Sequence, residues 1–206
     1  MVAVGLAVRC MVPFWGSLIT VVDDVRDLYR ARWGEPSRRA SFEVDGFEAE
    51  VLKWNADANP EGVALYATVG ASARAMPGRD PLHRVEFFVG FVPEQDAVAS
   101  PLAALALYSA REGVAVDHGH TVPVGGPLWL GSGMRWFLVL RPVGDIVPPL
   151  QLPDGLHVDF LQAVPIFETE LIYKSVHGAE ALLRRWEASM TPFWDPRRDP
   201  ALLPTC

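Results

Sequence analysis

Between Leu152 and Trp186 the hydrophobic pattern of the chain switches from a period of two to a helical period, which fixes a local order of turn, strand, helix, helix. Leu152-Pro-Asp-Gly155 is a turn signal, because Pro presets one turn residue and Gly can take positive φ. From His157 to Val164 the side chains alternate, with Val158, Phe160 and Gln162 on one side and Asp159, Leu161 and Ala163 on the other. Pro165 is expected to end that strand, since it has no N–H for a ladder. A short helix follows from Glu168 to Ser175. Gly178 breaks it, and Ala179, Leu182, Leu183 and Trp186 then form an apolar helical stripe.

The same reading extends along the chain. Ser17 is placed to cap a first helix whose apolar face is Leu18, Val21, Val22, Val25, Leu28 and Tyr29, with Gly34 and Pro36 as its stop. Strands are expected at Phe42–Val44, Phe47–Val51, Val63–Val69 and Val85–Phe91, with a turn or bulge at Gly46. Gly70 to Pro81 reads as the best candidate for a mobile loop. Ser100-Pro101 opens a second helix that Gly113 ends. Arg135 to Arg141 is apolar on both faces, which suits a strand between helix layers. The residues from Met190 onward lack periodicity, carry four prolines, and are expected to wrap the surface or be disordered. Strands in succession with helices around them predict an α+β fold, a mixed, mainly antiparallel sheet with helices packed on it. The organisation expected is an N-terminal extension over residues 1–16, one domain over 17–198, and a tail over 199–206.

Composition narrows the function. The net charge of −7 argues against a nucleic-acid binder, which usually carries a basic face, and suits a soluble protein or one with a basic protein partner. Cys10 and Cys206 cannot build a disulfide framework or a zinc site, consistent with a cytoplasmic protein. The apolar run Met1–Phe14 has its lone Arg9 too late for a secretory signal and is too short to span a membrane, so no membrane association is expected. Arginine is abundant, and Lys53 and Lys174 are the lysines, a bias that suggests a GC-rich bacterial genome.

Candidate chemistry is sparse. His118 and His120 lie at i, i+2, the spacing that on a strand aims both rings at one metal, with Asp117 and His157 as further ligands only by tertiary proximity. Ser132 lacks the glycine two residues earlier that a nucleophile elbow needs, and there is no P-loop or G-x-G-x-x-G pattern. Glu168 and Glu170 read as carboxylates at a helix N-terminus. Glu43, Glu48 and Glu50 read as the wet face of a hairpin, or as an acidic patch for a basic partner. Of the seven tryptophans, Trp129, in a loop with Pro127, Leu128 and Leu130, is the one expected to be exposed. No catalytic residue, metal site or cofactor is expected. The partner-binding candidates are Trp129, His118, His120, Glu43, Glu48 and Glu50.

The order of several segments resembles the Suppressor of fused (SUFU) domain family. They are Pro153-Asp-Gly155, Val158-Asp-Phe-Leu-Gln-Ala-Val-Pro165, Glu168-Thr-Glu-Leu171 and His177-Gly-Ala-Glu-Ala-Leu-Leu183, preceded by Asp117-His-Gly-His-Thr-Val-Pro123 and Met134-Arg-Trp-Phe-Leu-Val-Leu140. The resemblance covers roughly Asp23 to Arg198. It implies the same α+β class and a non-enzymatic protein-binding function. The animal member of the family holds a transcription factor in check, and the bacterial members look like immunity proteins that neutralise toxins by direct binding. A regulatory or scaffold subunit and a metal-binding enzyme at His118 and His120 are the alternatives.

Overall fold

The computed structural model describes residues 15–144 and 146–201, with side chains from residue 21 onward. The expected extension over residues 1–16 therefore lies almost wholly outside the described residues, as do Cys10 and Cys206. The elements run α1 (Trp15–Trp33), β1 (Arg38–Val44), β2 (Phe47–Trp54), β3 (Ala64–Val69), β4 (His83–Phe91), α2 (Ala99–Glu112), β5 (Thr121–Pro123), β6 (Trp136–Leu140), β7 (Leu150–Gln151), β8 (His157–Ile166), α3 (Glu168–His177) and α4 (Ala179–Ala188). The first helix begins two residues before the Ser17 cap that the sequence suggested.

The strands form one sheet in the order β1-β2-β3-β4-β8-β6-β5, with the short β7 paired to β8. All pairs are antiparallel except β4 with β8, where His83 lies opposite His157 and Phe88 opposite Gln162. The expected class, a mixed and mainly antiparallel sheet with packed helices, is the one observed.

Alternation along each strand feeds two faces. On one, α2 lays Leu102, Leu105 and Ala106 over Val51, Tyr66, Phe87, Val89, Leu161 and Val139. On the other, α1 packs Val21, Val25, Tyr29 and Trp33, spaced at one helical stripe, on Leu52, Trp54, Ala67 and Phe160. Each such fully buried aliphatic or aromatic side chain contributes roughly 1.5–3 kcal/mol. Further along that second face, α4 covers Leu138, Val164 and Ile166 with Leu182 and Trp186. Both faces of β6 are thus buried, as its sequence required.

β8 continues through Pro165 to Ile166 rather than stopping before it. The reason is geometric. Pro165 lies opposite Phe137 of β6, but β4 flanks β8 only as far as Gln162. The Pro165 carbonyl accepts from Arg198 instead of from β6, so its missing N–H also falls on the open side of the strand.

The loop after β3 is held, not free. Ser72 and Met76 are buried. Glu86 on β4, wholly buried, accepts from the Gly70 and Ser72 N–H groups and from the Ser72 and Thr68 hydroxyls at 2.6–3.0 Å. Burial raises the Glu86 pKa, and these four donors only partly offset it. The chain after Met190 is likewise anchored. Arg198, buried, forms a two-pronged ion pair with buried Glu170 at 2.6 and 2.8 Å. Glu170 is therefore more than a helix-terminus carboxylate, although it also accepts from the Phe167 N–H at the start of α3.

Candidate protein-binding surface

The acidic trio is assembled by a hairpin. Asp45 (φ 55°) and Gly46 (φ 76°) make a two-residue turn with both residues left-handed, the form that matches the twist of paired strands. That turn sets Glu43 opposite Glu48, and Glu50 follows two residues on, so all three carboxylates share one face of β1–β2. This face lies beside α1 and the loop after β3. Together they form a cleft of about 620 Å³ lined by Glu43, Glu48, Glu50, Arg26, Arg74 and Val22.

The loop approaches β2 closely because residue 70 is glycine. At its φ of 125°, a Cβ would lie 2.9 Å from the Glu48 carbonyl oxygen. Inside the cleft Arg26 bonds Glu50 Oε1 at 3.0 Å and Asp23 at 2.8 Å. Glu50 Oε2 is buried and has no hydrogen-bond partner among the described residues. Arg74 rests its guanidinium over the Phe47 ring at 4.5 Å. Glu43 and Glu48 are exposed, and among the described residues no cation is in ion-pair contact with either. The cleft offers a basic side chain two free carboxylates at its rim.

His118 and His120 lie elsewhere. From β2 to β5 is five strand spacings, about 24 Å along the sheet. Neither histidine is on a strand. Asp117 to His120 form a turn closed by the His120 N–H to the Asp117 carbonyl at 3.1 Å, and β5 starts after it. His118 Nδ1 accepts from the Arg141 N–H at 3.0 Å and its Nε2 faces Glu180 at 3.3 Å. His120 Nδ1 accepts from the Asp117 N–H at 3.2 Å. Among the described residues no group of three or more potential metal ligands is gathered. Both histidines serve as acceptors for backbone N–H groups of the turn and of the strand end beside it.

Trp129 is not exposed, contrary to the sequence expectation. It is 9% accessible and packs edge-on against Phe91 at 5.7 Å, because its loop folds back through the Leu128 N–H to the Met134 carbonyl. Among the described tryptophans the exposed one is Trp194, 45% accessible. With Phe193, Val143 and Ile146 it borders an apolar groove of about 360 Å³, floored by Leu65, Phe88 and Gly90 between the α1 and α4 layers. The sequence signal for it was faint: a tryptophan in a proline-punctuated stretch with no apolar neighbour beyond Phe193.

This fold, one mixed and mainly antiparallel sheet with helices on both faces and a polar cleft at its β1–β2 end, defines a class of α+β domains. The family model of Suppressor of fused protein (SUFU) matches residues 44–199, and the chain belongs to that family. No curated protein matches it in sequence. Among solved structures it is similar to a protein from Neisseria gonorrhoeae FA 1090 described as a SUFU homologue, at 20% identity and a TM-score of 0.69, over 91% of this chain and 100% of the other. It is also similar to a chain of the Sufu–Fu complex at 16% identity and 0.62, over 89% of this chain and 91% of that one. Drosophila Suppressor of Fused matches at 15% identity and 0.60, over 88% of this chain and 50% of its own. At these identities the three structures share the fold. No helix among the described residues is long and apolar enough to cross a membrane.

Proposed function

We propose that this chain is a non-enzymatic protein-binding domain and acts as a bacterial immunity protein in the cytoplasm, neutralising a basic toxin by covering its active surface. The observation that carries the reading is the cleft in which Glu43, Glu48 and Glu50 converge, two of them without cations of their own. A basic patch on the partner is drawn in by the long-range field of this acidic chain and then pairs with the cleft rim. Membership of a family with a solved protein complex, Sufu–Fu, supports the binding role. His118 and His120, at the far end of the sheet, belong to a separate contact if the partner is large enough to reach them. Trp129 contributes through the core and not by touching the partner.

A second reading, a regulatory subunit for a cellular protein, is favoured by the Trp194 groove, which suits an apolar segment better than a basic patch. Growth separates the two. The product of the gene beside this one, expressed in a bacterial host, is expected to arrest growth, and co-expression of this chain is expected to restore it. A neighbouring product that is harmless, or whose toxicity this chain leaves untouched, overturns the immunity reading.

A further inference from the structure

β1 forms one edge of the sheet, and among the described residues its outer side is unpaired. Its seven residues, Arg38 to Val44, are mostly exposed. The hairpin dictates which backbone groups point outward. A two-residue turn of this type is closed by a doubly hydrogen-bonded pair, here Val44 with Phe47. Alternation then directs the N–H and C=O groups of Val44, Phe42, Ala40 and Arg38 toward β2, and those of Glu43, Ser41 and Arg39 away from it. At the far end Arg38 lies opposite Lys53, and the Ser37 N–H donates to the Lys53 carbonyl at 2.8 Å.

Charge normally guards such an edge against pairing. Here the charges are self-complementary. When Ser41 is set opposite Ser41 of an antiparallel second copy, Arg39 falls opposite Glu43, Ala40 opposite Phe42, and Arg38 opposite Val44. Every outward backbone group then meets an outward group of the other strand. A shift of two residues either way keeps the backbone phase but breaks both Arg39–Glu43 pairs and pushes one strand end into the hairpin turn or into the Pro36–Ser37 bend. The internal register adds an independent reason. Glu43 stands directly opposite Glu48, a like-charge pair that destabilises a sheet unless a cation relieves it. Among the described residues Arg39 is ion-paired only with exposed Glu35, at 3.7 Å. Arg39 of a second copy would lie on the same face as Glu43 and supply that cation.

We infer that β1 is the seam of a two-fold homodimer, in which the β1 strands of two copies pair antiparallel about Ser41 and are locked by reciprocal Arg39–Glu43 ion pairs. The axis runs perpendicular to the sheet, so the two sheets join into one and both acidic clefts open on the same side, with Glu43 taken up by the seam in the dimer and Glu48 and Glu50 left to the cleft. The seam is short and charged, and it makes a dimer that dissociates on dilution.

Sedimentation analysis of the full chain over a range of concentrations tests this. The wild type is expected to rise from one chain to two. S41P removes the outward N–H at the axis, a donor the monomer does not use, and is expected to stay monomeric. R39E and E43R each place like charges opposite and are also expected to be monomeric, whereas R39E/E43R restores the dimer with the pairs exchanged. R39E and E43R lie at exposed positions, so the test stands even if S41P fails to fold. A wild type that remains a single chain up to about 1 mM, a dimer that survives S41P, or a double variant that stays monomeric would overturn the inference.

Discussion

Glu86 shows how much one buried side chain can organise. It is wholly buried, yet its carboxylate is given four donors by Thr68, Gly70 and Ser72. Burial still wins, and the native pKa is raised above the ordinary glutamate range. The native protein therefore holds the Glu86 proton more tightly than the unfolded chain does. Its contribution to stability is full below the ordinary glutamate range and is lost as pH rises through the raised native value. Glu86→Gln carries no charge at any pH. Urea unfolding of both proteins from acidic to neutral pH is expected to show wild-type stability falling relative to that of the variant. Parallel curves would mean that the four donors solvate the ionised group as well as water does. From sequence, Glu86 was the polar member of an alternating strand. Its burial depends on a loop 14 residues away, which local pattern does not contain.

Among the elements, those with a strong period were legible and those held by single long-range contacts were not. Alternation located β4 and β8, a run apolar on both faces located β6, and the helical stripes located α1 and α4. The parallel pairing of β4 with β8 joins residues on either side of α2, β5 and β6, so no window of sequence carries it. Two expectations gave way to such contacts: Glu86 pins the loop after β3, and Phe91 receives Trp129. For the chain after Met190, expected to wrap the surface or be disordered, Glu170 supplies the anchor through Arg198. The last contact joins α3 to a segment with no regular structure, and it is fully desolvated, with side chains 0–1% accessible. Removing one member of such a pair leaves a buried charge alone. Arg198→Ala is therefore expected to cost about 3–5 kcal/mol in denaturant unfolding, together with faster proteolysis after Met190. A change under about 1 kcal/mol would show that the segment is held by Phe193 and Pro192 contacts and not by the ion pair.

Taken whole, the molecule is a sheet with different properties at its two ends. The β1 end carries the unpaired edge and the acidic cleft, while the β5 end is short and bounded by the His118–His120 turn. Along the second face, α1 and α4 leave the Trp194 groove between them. Of the candidate binding residues, the three glutamates come together, the two histidines pair with backbone at the opposite end, and Trp129 joins the core. The i, i+2 spacing of Glu48 and Glu50 and the Asp-Gly turn made the trio readable in advance. The arrival of α1 and the loop after β3, which turn an exposed face into a cleft, was not. The most direct test of the protein-binding role is capture by the full chain from a lysate of its own organism, at low and moderate salt, with E43K/E48K as the parallel bait. The expected result is a basic protein retained by the wild type, released by moderate salt and absent from the variant. Identical captures by the two baits, or nothing retained at either salt, would contradict the cleft as the binding surface.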